Sequence, residues 1–150
     1  AAKDASVADG NRKIVVTDIN GNELAGHVEI SANVDANSMR QVLTNLLANA
    51  ARFSPAGAQI EVAIDSNAQF EKHRRLIIEV RDHGEGIPEQ LRTKVFERFY
   101  RVDNSRNSET GGSGLGLSIV SSIVSRHGGT IVADETPGGG ATFRVDIPAE

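Results

Sequence analysis

Cysteine is missing from this 150-residue chain. No disulfide, thiolate zinc site or thiol nucleophile can therefore exist, and the absence fits a reducing compartment. No apolar run approaches the length of a membrane span, and the N-terminus does not read as a signal peptide. Positive charge is not in excess either. The formal net charge is -4, whereas a nucleic-acid binder is expected to present a basic surface, so no nucleic-acid partner is expected. His27, His73, His83 and His127 lack ligand-like spacing, and the sequence suggests no Ser-His-Asp arrangement. No internal repeat is visible.

What is present is ordinary for a globular protein: 39% hydrophobic and 24% charged residues. The length suits one domain over residues 1–150 with one core. The chain opens on Ala1 instead of Met, so a larger parent is expected. Residues 1–10 are small and polar and are expected to be loose.

The stretch from Met39 to Phe53 organises the rest. Good helix formers dominate it, Asp35 is a candidate N-cap and Pro55 a stop. Met39, Val42, Leu43, Leu46, Leu47, Ala50 and Phe53 share one arc of the helix, which should face a core. Asn45, Asn49 and Arg52 fall on the opposite side. Asparagine is a poor helix-interior residue, because its amide competes for backbone hydrogen bonds. Two readings of this stripe stand side by side. It is either a solvated face or a site for a hydrated metal and a polyphosphate, since an amide oxygen ligates Mg²⁺ without adding negative charge.

Around this helix, Lys13–Thr17 reads as a strand, followed by an Asn-Gly turn and a possible return over Leu24–Ile30. Ile60, Val62 and Ile64 alternate with polar residues as a half-buried strand. The polar run Ser66–Arg74 reads as a loop. Leu76, Ile78 and Val80 mark a further strand ending at Asp82. Pro88 is placed to begin a helix whose buried side is Leu91, Val95, Phe96 and Phe99. Val102–Gly112 reads as a mobile segment. Leu115, Ile119, Val120, Ile123 and Val124 follow helical spacing up to His127-Gly128-Gly129. A strand from Thr130, a turn over Thr136–Gly140 and a last strand through Phe143, Val145 and Ile147 complete the chain. About three helices and five or six strands predict an α/β (α+β) two-layer sandwich, a mixed, largely antiparallel sheet covered on one face by helices.

Three further segments carry chemistry. In Asp82-His83-Gly84-Glu85-Gly86 a carboxylate at a strand end precedes two alternate glycines. It can accept from an exocyclic amine such as that of adenine, with Ile87 against the base, or simply cap a turn. Gly111-Gly112-Ser113-Gly114-Leu115-Gly116-Leu117 opens a helix, where backbone N–H groups suit an anion. It is not a P-loop, having no lysine after Gly116. It is not a dinucleotide fingerprint either, since Leu117 stands where the third glycine is required. Phe96-Glu97-Arg98-Phe99-Tyr100-Arg101 leads into the loose segment, from which Arg101 and Arg106 either close over phosphates or lie as surface arginines.

In order and spacing these segments together resemble the catalytic ATP-binding domain of sensor histidine kinases, within the gyrase, chaperone, histidine-kinase and mismatch-repair ATPase superfamily. Asn45-Leu-Leu-Ala-Asn49-Ala-Ala-Arg52-Phe53 is similar to the family's N box. Asp82-His-Gly84-Glu-Gly86 resembles its first glycine box, and Phe96 to Arg101 its F box. Gly112-Ser-Gly114-Leu115-Gly116-Leu117 resembles the second glycine box, and Gly138-Gly-Gly140-Ala-Thr-Phe143 the third.

The resemblance implies a Bergerat-type ATP-binding fold with ATP and Mg²⁺ as ligands. It makes Asn49 the metal ligand and, with Asn45 and Arg101, part of the catalytic set. Arg52 would reach the phosphates, Phe53 and Ile87 flank adenine, and Asp82 read its amine beside Gly84 and Gly86. Tyr100, Arg101 and Arg106 would border the nucleotide, and residues 102–113 would form the ATP lid. Gly112, Gly114, Leu115, Gly116 and Leu117 would supply the backbone at its end.

Two departures matter. Ala141 stands where many relatives carry Thr or Ser. Asn45 stands where hydrolytic branches carry a Glu that activates water, so the site should hold ATP for another nucleophile. The resemblance places that nucleophile, a histidine, on a dimerisation and phosphoacceptor domain outside this chain. A response regulator would be reached through that domain. The parent would be a homodimeric membrane sensor kinase; this piece would be its cytoplasmic domain, monomeric and inactive alone. The alternatives are an anti-sigma-type serine kinase and a nucleotide-sensing module without transfer activity. An NAD-binding oxidoreductase domain fails on Leu117.

Overall fold

The computed structural model describes residues 14–18, 35–97 and 116–149. The expected return strand at 24–30 and the segment 102–113 lie outside them.

Helix α1 spans Ala36–Phe53. Asp35 caps it in extended conformation. Its carboxylate accepts from the Asn37 backbone N–H at 3.3 Å and from the Ser38 hydroxyl at 2.6 Å. Those bonds satisfy one of the orphan donors of the first turn. At the other end Ser54 is extended, and Pro55 follows. The apolar arc faces inward: Met39, Val42, Leu46, Leu47 and Ala50 are buried. Complete burial of a side chain such as Leu46 stabilises the fold by roughly 1.5–3 kcal/mol.

The partner layer is a sheet of five strands among the described residues, in the order β1-β2-β3-β5-β4. These are β1 (Ile14–Asp18), β2 (Ile60–Phe70), β3 (His73–Arg81), β4 (Thr130–Glu135) and β5 (Ala141–Pro148). Strand β1 runs parallel to β2 and every other pair is antiparallel, so the sheet is mixed and largely antiparallel, as expected. Alternation sets the faces. Ile60, Val62, Leu76, Ile78, Val80, Phe143, Val145 and Ile147 join α1 in one core. Helix α2 (Gly116–Arg126) adds Val120, Ile123 and Val124 to it. The opposite face carries Ala63 and Ile77 along with charge pairs, one within β3 and two across to β5. Glu79 meets Arg81 and Arg144, and Arg75 meets Asp146. Among the described residues no helix is long and apolar enough to cross a membrane.

Two expectations are corrected. The run Ser66–Arg74 is not a loop. Strands β2 and β3 continue through it to pair Phe70 with His73, with a bulge between Asp65 and Ala68. The turn is only Glu71-Lys72, both at positive φ (50° and 70°). Two-residue hairpins of this kind favour Asn-Gly, so Glu-Lys gives no turn signal, and pairing overrides local preference.

The second correction concerns the segment after Pro88, which is not one helix. It forms two 3-10 turns, Glu89–Leu91 and Lys94–Phe96, closed by three-residue bonds such as Leu91 N–H to Pro88 O at 2.8 Å. Val95 is buried, and Phe96 meets Phe143 edge-on at 6.0 Å between ring centroids, but Leu91 is only half-buried. The core thus anchors one end of the segment, too little to hold a longer helix. Phe99 lies outside the described residues.

Two predictions follow from these ends and turns. Lys72→Gly relieves a left-handed residue and raises stability by about 0.5–1 kcal/mol, read as a higher urea midpoint. Asp35 titrates below its ordinary value of 3.8 because the Ser38 hydroxyl donates to it. Its stabilisation is therefore complete above that unfolded-state value and fades as pH falls through the lower folded one. Asp35→Ala accordingly lowers the melting temperature near pH 7, and the gap to wild type narrows as pH falls below 3.8.

Candidate functional site: a wall of backbone around one carboxylate

Strand β3 delivers Asp82 one residue past its last pair, Arg81 with Thr142. The carboxylate is 2% exposed. A buried carboxylate needs donors, and here two come from the backbone. The Gly84 N–H donates to Oδ1 at 3.0 Å from the turn that follows, and the Ala141 N–H donates to the same oxygen at 3.0 Å from β5. The Asp82 N–H in turn donates to the Ala141 carbonyl at 2.9 Å. With Oδ1 taken up by the protein, Oδ2 is the oxygen left for an incoming donor.

Glycines make this packing possible. A Cβ on Gly84 would overlap the Phe53 carbonyl at the end of α1. One on Gly140, at φ +120°, would overlap the Asp82 carbonyl. Gly86, at φ +80°, places its hydrogen where a Cβ would stand 3.1 Å from the Gly140 oxygen. The end of α1, the turn after β3 and the turn before β5 thus meet at backbone distance, and Asp82 is held between them. Behind them, Thr136 and Thr142 share a buried hydrogen bond at 3.0 Å on the outer side of the sheet. Ala141 faces the core, and Thr142 the other side, as strand alternation requires.

The polar stripe of α1 leads into this wall. Asn49 is buried, with 7% exposure, so the reading of a solvated face fails for it. Its Oδ1 accepts from Arg52 at 3.4 Å, and the Arg52 guanidinium lies 4.8 Å from the centre of the Phe53 ring. Asn45, one turn earlier, is half-buried and Arg52 is exposed. Asn49 offers one neutral carboxamide oxygen. Among the described residues no group of three or more acidic or histidine side chains could hold a metal. A lone amide oxygen suits Mg²⁺, which keeps several waters and takes few protein ligands beside phosphate.

Phe53, Asp82, Gly84, Gly86 and Ile87 are thus brought together, with Asn45, Asn49 and Arg52 on the helix that ends there. Gly116 and Leu117 form the first turn of α2; Leu117 packs on the shared core, and the Cβ position of Gly116 has open space around it. Tyr100, Arg101, Arg106, Gly112, Gly114 and Leu115 lie outside the described residues. Sequence reasoning missed the Ala141 N–H, because strand register is not written in local periodicity. The three consecutive glycines were the available signal. It also missed the contact of His83 with Glu61, Nε2 to Oε1 at 2.7 Å.

The packing of Gly140 is checked by comparison with Gly138, which has φ +91° and open space around its Cβ position. Gly138→Ala costs about 1–2 kcal/mol, the left-handed penalty alone. Gly140→Ala costs clearly more in the same urea titrations, because the Asp82 backbone must move.

Residues 34–150 match the family of histidine kinase-, DNA gyrase B- and HSP90-like ATPases. The chain is 42% identical over 120 residues to the sensor histidine kinase WalK of Bacillus subtilis, covering 80% of this chain and 19% of that protein. To the hybrid signal transduction histidine kinase D of Dictyostelium discoideum it is 40% identical over 117 residues, 78% of this chain and 8% of that protein. It therefore spans about a fifth or less of the length of these curated relatives. Among solved structures, the mycobacterial sensor histidine kinase MprB aligns with a TM-score of 0.73 at 28% identity, over 99% of this chain and 89% of that one. Full-length ShkA in complex with AMPPNP aligns with a TM-score of 0.69 at 25% identity, over 97% of this chain and 27% of that one. The matched residues contain α1, both glycine turns and α2, and the chain belongs to the histidine kinase-, DNA gyrase B- and HSP90-like ATPase family, as an ATPase domain of the sensor histidine kinase kind.

Proposed function

We propose that this chain is a single catalytic domain that binds Mg-ATP and presents the γ-phosphate to a histidine on a phosphoacceptor domain of a larger parent. The observation that carries this reading is the pairing of a buried amide with a buried carboxylate. Asn49 sits one helical turn before the Phe53 carbonyl, against which Gly84 beside Asp82 is packed.

Each group has a defined task. Asp82 accepts the exocyclic amine of adenine through Oδ2, while its two backbone donors fix the carboxylate plane. Ile87 lies against the base. Arg52 is exposed and next to Asn49, where its planar fork suits phosphate oxygens. Asn49 would offer an uncharged oxygen to Mg²⁺, which would supply neutralisation of phosphate charge. Asn45 is no general base, so water near the γ-phosphate is poorly activated. The phosphoryl group is thereby kept for a positioned imidazole, and rate enhancement rests on placement and charge neutralisation. The complex of ShkA with AMPPNP supports an adenine nucleotide as the ligand. The sensor histidine kinases among the relatives support a sensor-kinase parent, for which a membrane-anchored homodimer with its own response regulator is proposed.

Calorimetry with Mg-ATP tests the site, and transfer to a rejoined phosphoacceptor domain tests the activity. Asp82→Asn weakens ATP by about tenfold or more, the scale of a lost hydrogen bond to a charged group, and weakens ITP, which lacks the amine, much less. Equal weakening of both refutes the adenine assignment. Asn49→Ala removes the Mg²⁺ dependence of binding and abolishes transfer; undiminished transfer refutes the metal role. Transfer to a serine substrate in place of histidine, or binding without any transfer, would move the chain to a different activity.

A further inference from the structure

Arg92 lies between the two 3-10 turns, and its half-buried side chain reaches back toward the glycine turns. Its Nε donates to the Ile87 carbonyl at 3.1 Å. The other end of the same guanidinium faces the end of β4, with Nη1 3.6 Å from Asp134 and Nη2 3.9 Å from Glu135. Ile87 directly follows Gly86, whose Cβ position would stand 3.1 Å from the Gly140 carbonyl oxygen. Glu135 directly precedes Thr136, whose N–H donates to that same Gly140 carbonyl at 3.0 Å. Arg92 thus spans the two turns that enclose Asp82, gripping one by its backbone and the other by its acidic shoulder.

We infer that Arg92 is a positioning residue for the nucleotide site, holding Ile87 at the spacing from Asp82 that an adenine ring requires. This rests on the function proposed above. The two acids are 72% and 74% exposed, so their ion pairs add little to stability and serve mainly to aim the fork. The Nε bond to Ile87 is charge-assisted and partly shielded from water, and it fixes the main chain beside the base. Only a planar guanidinium can serve both sides at once. A lysine has a single head group and must choose between the carbonyl and the acids. The contacts of Arg92 are to Ile87, assigned above to the base, and to the end of β4, so its effect is expected on recognition of the base.

The test is a set of titrations of the full 150-residue chain with Mg-ATP and Mg-ITP, for wild type, Arg92→Ala, Arg92→Lys and Asp134→Asn/Glu135→Gln. Circular dichroism at the working temperature establishes that each is folded. Arg92→Ala is expected to weaken ATP roughly three- to tenfold and ITP by less, lowering the ATP-to-ITP preference. Arg92→Lys recovers only part of that preference, and the double acid variant shifts it in the same direction by less. A merely structural role would lower the melting temperature and leave the preference intact. An unchanged preference in folded Arg92→Ala overturns the role of Arg92. Should that variant unfold, an unchanged preference in both Arg92→Lys and the double variant overturns it equally. A wild-type chain that binds neither nucleotide overturns the function on which the inference rests.

Discussion

The carboxylate of Asp82 is the constraint around which the rest is arranged. It is buried, and the backbone supplies its donors from two places far apart in the chain, Gly84 and Ala141. Bringing both N–H groups to one oxygen requires the turn after β3 and the start of β5 to approach at main-chain distance. That approach requires hydrogen in place of a side chain at Gly84 and Gly140. It also requires the sheet register that sets Arg81 opposite Thr142. The core beneath, with Phe143 against Phe96 and β5 against β3, is what holds that register. Stability and site are therefore not separable here: the same strand pairing builds the core on one face and closes the carboxylate cage at its end.

Helix α1 is the second support, and its two faces divide the labour. Its apolar arc is locked to the sheet by Val42, Leu46, Leu47 and Ala50. That locks in turn the rotation of the helix about its axis, so the direction of Asn49 is set by residues on the opposite side. A carboxamide in a helix interior carries a propensity penalty. Here it is spent at a position shielded from bulk water, where an amide oxygen meets less competition for a ligand.

Much of this was legible in the sequence, for reasons that differ by element. The helices and most strands followed from periodicity because each has one buried face and one polar face, the condition under which a pattern is informative. Asp35, Pro55 and the triple glycine worked as punctuation because their effects are local. The failures were tertiary. The hairpin at Glu71-Lys72 carries the wrong residues for its turn, and only cross-strand pairing reveals it. The segment after Pro88 has helical spacing, but among its described residues only Val95 and Phe96 are anchored in the core. Of the site, the residue types were readable and the partnerships were not. That Asp82 would be held by the N–H of Ala141 depends on a register between strands 59 positions apart.

One feature of the Asp82 cage bears on how such a protein can change over time. The groups that grip the carboxylate belong to the peptide chain itself, and Ala141 grips it through its N–H rather than its side chain. Any residue except proline supplies that group. The grip is thus indifferent to the side chain at 141, which is limited only by the core it faces, whereas a single insertion in the 136–140 turn would take the donor away altogether. Family members can therefore differ chemically beside Asp82, within what the core admits, while keeping an unchanged polypeptide path around it.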